Sequence, residues 1–358
     1  MKNIMKIALV MLSVVCFTSA NAGELSVTGS AKASYVITSS DSSTAAVEAG
    51  KGLGVSNEFT LGANGELDNG WTWKYFIDID NATVQDDGGL SLSTPYGALA
   101  VNVSDGGLEL SKAAAISASG DRGSDSAFAE GMAEEFSIGD MTNIQYHTPA
   151  DLLPYGIMFK AAHAPSTASG SNRSTNTAGG AGYNPFTATT DTGVVTQTAN
   201  MGRSMSSYQV KAEPITGLAV GASYSDYDMK DALVATSPEA GSWYAKYETG
   251  PLEVAYGRSY VSYATRKTAT LYDSMLGQKM GIGYTINDDL SVSYTEEKSE
   301  TSHMLATTAD VEMKVTQMAA AYTMGGMTVS LSSQSYDNVN YTSGVNAKSH
   351  ILGVAMAF

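Results

Sequence analysis

Catalysis or metal binding in these 358 residues would have to come from four histidines, one cysteine and one run of aspartates. His147, His163, His303 and His350 are scattered, with neither metal-ligand nor triad spacing. Asp78, Asp80, Asp86 and Asp87 offer hard oxygens but lack the spacing of a calcium loop. No enzyme, metal or cofactor is expected, and chelator should leave thermal stability unchanged. What remains is patterned charge. Lys32, Lys74, Lys160, Lys211, Lys246 and Lys279 each sit opposite in parity to the apolar residues around them, as Lys160 does to Ile157, Phe159 and Ala161. Glu58, Asp78, Asp80, Glu213, Glu248 and Glu253 follow the same rule. Arg258, Lys314 and Lys348 break it, near segment ends where a long side chain reaches water.

A second set of charges lies between the alternating segments. Residues 105–139 carry Asp105, Glu109, Asp121, Asp125, Glu130, Glu134 and Glu135 against Lys112 and Arg122. A solvated surface loop has this composition. The same loop folded inward would set its acids opposite wall lysines and create a transverse field, the arrangement by which wide pores select ions.

The elements that position these charges alternate with period two almost throughout, which predicts an all-β chain. Leu25, Val27, Gly29, Ala31, Ala33, Tyr35 and Ile37 share one face; Ser26, Thr28, Ser30, Lys32 and Ser34 share the other. Asp68-Asn69-Gly70 is a hairpin signal, after which Trp71, Trp73, Tyr75, Ile77 and Ile79 oppose Lys74, Asp78 and Asp80. About sixteen strands are predicted: 25–37, 53–67, 71–80, 89–94, 98–104, 140–148, 155–163, 205–213, 217–226, 241–249, 252–261, 277–286, 290–299, 311–323, 327–335 and 347–358. The connections alternate in length. Turns at 68–70, 94–97, 149–154, 214–216, 249–251, 287–289 and 324–326 are short. Those at 39–51, 105–139, 164–204, 227–240, 262–276, 300–310 and 336–346 are long and polar, with a brief 83–88 as the exception.

The chain begins with Lys2 and Lys6 before an apolar run from Ile7 to Phe17, then Ala20-Asn21-Ala22. This is the layout of a secretory signal peptide cleaved between Ala22 and Gly23, and the run is too short to span a bilayer. Cleavage would remove Cys16 and shift the formal net charge from −16 to −18, which argues against nucleic acid as a partner. At its other end the chain stops on Phe358 in mid-alternation. Mean hydropathy is −0.09, which a transmembrane barrel shares with a soluble protein because its two faces average out. A soluble sandwich would show the same alternation. The leader, the short-turn and long-loop alternation and the terminal aromatic point instead to an exported transmembrane antiparallel barrel over residues 23–358, with short periplasmic turns, long extracellular loops and the third loop folded into the lumen. A barrel of that size encloses water, so the expected function is passage of small hydrophilic solutes and ions, with a mild cation preference. A plugged barrel serving as a surface adhesin is the alternative; planar-bilayer conductance separates the two.

The segments "GLGVSNEFTLGANGELDNGWTWKYFIDID", "LSLSTPYGALAVN" and "NIQYHTPADLLPYGIMFKAAHAP", with the terminal "AMAF", resemble the general diffusion porins of Gram-negative outer membranes, above all the alphaproteobacterial and neisserial types. The resemblance implies a sixteen-stranded barrel, a homotrimer, a third loop at the constriction and passive diffusion. It also implies that Phe358 is read by the outer-membrane barrel assembly machinery. One departure is plain: Val103-Ser104-Asp105 stands where such proteins often place a wall arginine. The only arginines here are Arg122, Arg173, Arg203, Arg258 and Arg266.

Overall fold

The computed structural model describes residues 24–41, 50–80, 83–129, 132–149, 151–165, 202–229, 234–262, 265–266, 272–303 and 309–358. The predicted leader with Ala22 and Gly23, the acid Glu130 and residues 166–201 of the predicted 164–204 loop lie outside the described residues.

Sixteen antiparallel strands close into one barrel. They are β1 (Glu24–Ser40), β2 (Gly50–Glu66), β3 (Thr72–Asp80), β4 (Thr83–Thr94), β5 (Gly97–Val103), β6 (Asn143–His147), β7 (Met158–Ala164), β8 (Gly202–Ile215), β9 (Leu218–Met229), β10 (Glu239–Thr249), β11 (Leu252–Ser262), β12 (Tyr272–Asn287), β13 (Leu290–His303), β14 (Glu312–Met324), β15 (Met327–Asp337) and β16 (Asn346–Ala357). Residues 234–236 and 265–266 form a separate two-stranded ribbon. Each strand pairs with its sequence neighbours, so hairpin contacts build the whole wall.

The last strand closes the barrel on the first, with register from Ser30 opposite Ala357 to Ser40 opposite Ala347. Gly29 and Phe358 exchange both backbone bonds, at 2.8 and 2.9 Å, so no sheet edge is left to bind another strand. Among the described residues no helix is long and apolar enough to cross a membrane; here the strands are the candidates.

The short turns have local causes. At the first, Gly70 takes φ +79°, which favours glycine, while its N–H donates to the Leu67 carbonyl at 2.8 Å and Trp71 N donates to the Asn69 side chain at 3.1 Å. At Asn287, the side-chain oxygen accepts from Asp289 N at 3.0 Å and Leu290 N at 2.9 Å. Several boundaries differ from expectation, most by a few residues: the start predicted for β7 at 155 is a 3₁₀ turn, Pro154–Gly156, and β8 runs from Gly202 to Ile215. The predicted brief loop at 83–88 is part of β4, which an irregularity between Ile77 and Ile79 keeps paired to β3. The strand predicted from 140 begins at Asn143 instead, because Asp140 ends a 3₁₀ turn, Ile138–Asp140, capped by the Ser137 hydroxyl.

The two faces of the wall meet different solvents. Leu53 is 83 % exposed, Met318 65 % and Leu331 58 %, and apolar side chains stand outward on strand after strand. That belt is stable only against hydrocarbon. It is cut short on β13, where Leu290, Val292 and Tyr294 are followed on the same outward parity by Glu296, Lys298 and Glu300. The next strand matches it. Lys314 meets Glu296 at 2.8 Å and Lys298 meets Glu312 at 3.5 Å, so the outward charges pair with one another on the loop side of the belt.

The buried core lies inside the barrel, not outside it. Leu108, Phe128, Phe136, Ile138 and Met141 of the long β5–β6 loop pack against Met205, Tyr227, Val261, Met275, Met313 and Tyr336 of the wall. Phe136 meets Tyr227 edge-on at 5.3 Å. This loop, residues 104–142, is called L3 below.

Candidate functional site

L3 is held along the inner wall by small polar side chains. From β8, Gln209 donates to the Leu108 carbonyl at 2.8 Å. On β9, Ser223 accepts from Leu110 N at 3.1 Å. The Glu135 carboxylate takes three donors on one oxygen: Leu110 N at 2.8 Å and the hydroxyls of Ser223 and Ser242, both at 2.5 Å. Further round, Ser259 of β11 donates to the Ala133 carbonyl at 2.5 Å, and Ala133 N donates to Ser299 of β13 at 2.8 Å. Ala118 N donates to Ser293 at 2.8 Å, Gln317 of β14 to the Asp121 carbonyl at 2.6 Å, and Tyr336 of β15 to the Gly123 carbonyl at 3.3 Å. Lys32 of β1 then grips the Asp121 carboxylate. The loop therefore follows the wall from β6, where Asn143 and Gln145 donate to its backbone, and β7, where Ala162 and Ala164 join its buried core, round to β1, and leaves the β2–β4 sector to face it across the lumen.

Close approach requires glycine at two of these places. A Cβ on Gly281 would lie 2.9 Å from the Ala114 carbonyl oxygen, and one on Gly277 would lie 2.8 Å from that of Ala133. Sequence reasoning overlooked this docking surface, though its signal is legible: beside larger residues such as Tyr244 and Lys279, the inward parity of β9–β13 carries Gly221, Ser223, Ser242, Gly257, Ser259, Gly277, Gly281, Ser293, Thr295 and Ser299. A face so poor in side-chain volume has room for something else to lie on it.

Six charges of alternating sign run from the wall to the lumen. Lys279 of β12 is 2 % exposed and meets Glu297, 1 % exposed, at 2.6 Å. It also meets Glu134 at 3.1 Å. Glu134 continues to Lys112 at 2.8 Å, Lys112 to Asp125 at 3.2 Å, and Asp125 to Arg122 Nε at 2.9 Å. Burial alone would raise the Glu134 carboxyl, yet Lys279 and Lys112 hold it below the ordinary carboxylate range. Asp125 is likewise lowered against its own burial, by Arg122 and Lys112. Lys112 is raised, its burial outweighed by Glu134 and Asp125.

Beneath the loop the balance reverses. Burial pushes Glu109 and Asp140 up, and Glu109 stands near Ser137 and the charge of Glu135. Asp105 sits at the root of the loop, its carbonyl accepting from Asn143 at 3.0 Å.

The predicted wall charges fall into two groups. Lys32 and Lys279 contact L3, and Lys246 is bound by Glu248 at 3.1 Å and Glu253 at 2.5 Å across the β10–β11 hairpin. Among the described residues Lys74, Lys160, Lys211, Glu58, Asp78, Asp80 and Glu213 have no ion pair. Their register sorts them along the axis. Glu58 lies opposite Asp80, with Asp78 two residues on, toward the loop side of β2 and β3. Lys74 stands three residues into β3 from the turn side, opposite Asn64. Lys160 and Lys211 stand near the turn-side ends of β7 and β8.

Comparison with known proteins agrees with this architecture. An anion-selective porin from Comamonas acidovorans superposes with TM-score 0.62 at 13 % identity, covering 94 % of this chain and all of the other. OmpF of Salmonella typhi, in complex with daunomycin, gives 0.62 at 12 % identity over 94 % and 98 %. A loop-deletion mutant of OmpT, an outer membrane protein of Vibrio cholerae, gives 0.61 at 12 % identity over 94 % and 100 %. No curated sequence matches the chain. The model of the family described as Gram-negative porin matches residues 8–287. With that match over most of its length, a closed sixteen-stranded wall and an apolar outer belt, the chain belongs to the Gram-negative porin family and to the outer membrane.

Proposed function

We propose that the protein is a passive diffusion channel for small hydrophilic solutes and ions, working as a homotrimer and mildly preferring cations. The observation that supports the reading is L3, which lies along the inner wall from β6 round to β1 and leaves β2–β4 facing it, so that the loop narrows the lumen from one side. The cation preference is supported by Glu58, Asp78 and Asp80, acids without ion pairs on the loop-side half of the open wall. Several L3 acids add little, because Asp121, Asp125 and Glu134 are paired with Lys32, Arg122, Lys112 and Lys279. Nothing in the geometry calls for bond-making chemistry. Reversal potentials under a salt gradient test the selectivity: a potential of cation sign that shrinks in Asp78→Asn/Asp80→Asn is expected, and anion preference in the unmodified protein would refute it.

A further inference from the structure

The lumen contains a pair of lysines that the constriction does not use. Lys160 of β7 lies opposite Gln209 of β8, and Lys211 is two residues further on the same inward face, opposite Met158. Diagonal neighbours of this kind have backbones about 7–8 Å apart, within the span of two ammonium groups converging on one small ion. Gln209 is itself a wall anchor of L3, and Lys211 lies two residues from it toward the turn side, so the pair sits beside the docked loop.

The surroundings leave both charges uncompensated. Opposite Lys160 on β6 is His147, whose Nε2 lies 2.8 Å from the Gln145 side-chain oxygen. On the β9 side of Lys211 is Gly221, which brings no charge. Glu213 stands two residues beyond Lys211 on the same face, and among the described residues neither lysine has an ion pair with it. The contrast within the same lumen is sharp: Lys32, Lys112, Lys246 and Lys279 are all bound by carboxylates. Two half-buried ammonium groups held side by side repel each other, and an anion between them relieves that repulsion.

We propose that Lys160 and Lys211 form an anion subsite on the periplasmic side of the constriction, suited to a small dianion. It rests on the channel reading and extends it: the loop-side half of the path attracts cations through Glu58, Asp78 and Asp80, while the turn side holds anions. Inorganic phosphate is the probe. With chloride activity fixed, added phosphate should block the chloride-carried current saturably. Lys160→Gln/Lys211→Gln should raise the half-blocking concentration about fivefold, the weakening that two water-exposed charge pairs account for. Lys74→Gln, four strands away on β3, should leave it unchanged. An unchanged half-blocking concentration in the double variant, or an equal effect of Lys74→Gln, overturns the subsite. Phosphorus NMR on the detergent-solubilised protein decides the question without conduction. The phosphate line should broaden with the unmodified chain and narrow with the double variant; equal widths overturn the proposal. A protein that carries no current but still broadens the line would sink the channel reading alone.

Discussion

Replacing Lys279 with methionine removes the cation on which the constriction is hinged. Glu297, 1 % exposed, would keep only one weak donor, Ser124 N at 3.3 Å, and Glu134 would keep Lys112 alone. Breaking a buried pair by deleting one partner costs about 3–5 kcal/mol, because the remaining charge is stranded. The lower end applies here, since Glu134 and Lys112 border lumen water. The barrel wall is held by backbone ladders on both sides of β12, unbroken around Lys279, so this cost falls on the docking of L3 and not on the fold. About 3 kcal/mol is roughly a 150-fold rise in the population of the detached loop. Single-channel recording should show flicker and raised open-channel noise in Lys279→Met, with heat stability little changed. Adding Glu297→Gln removes the stranded charge and should restore most of the quiet open level. A silent Lys279→Met, or a double variant as noisy as the single, would refute the reasoning.

Further expectations follow from the same geometry. Glu135→Ala strips three donors of their shared acceptor and should cost about 1–3 kcal/mol at the root of L3. It is read as faster proteolysis of residues 104–142 in the folded barrel, and unchanged cleavage would argue against the anchor. Acid should act in two stages. The lowered carboxyls of Glu134 and Asp125 contribute stability that is full above their ordinary range and lost as pH falls through their depressed values, below about pH 4. The raised carboxyls of Glu109 and Asp140 bind protons more readily folded than unfolded, so their ionisation opposes docking and falling pH through their values stabilises it. Channel noise should therefore pass through a minimum in mild acid and climb below about pH 4; a steady fall to pH 3 would contradict this. Deleting Phe358 removes the closing bonds to Gly29 and the contact with Phe59 at 5.5 Å, and should lower the yield of assembled protein in the outer membrane. Normal yield would count against its role as an assembly signal.

The wall was legible in the sequence because its two faces meet different solvents. Parity alone separates Leu25, Val27 and Tyr35 from Ser26, Lys32 and Ser34. Turn chemistry at Asn69-Gly70 and Asn287 marked the short side. The structure added what depends on contact between distant segments. Lys279 reads as one more lumen lysine until L3 is laid against it, and Glu134 and Asp125 read as free acids until Lys279, Lys112 and Arg122 are found beside them. On β13 the run Glu296-Glu297-Lys298 is charged at both parities, so alternation could not say that Glu297 turns inward to Lys279 while Glu296 and Lys298 turn outward to Lys314 and Glu312. The docking face of β9–β13 was visible only as missing volume, glycines and serines where side chains would otherwise fill the lumen.

Planar-bilayer recording of the purified protein tests the central claim most directly. An open lumen narrowed by L3 predicts stepwise conductance, closing in three equal levels for a trimer and rising when contacts that seat the loop are removed. Silent membranes at protein levels that insert other porins, or a conductance indifferent to every change in L3, would contradict it.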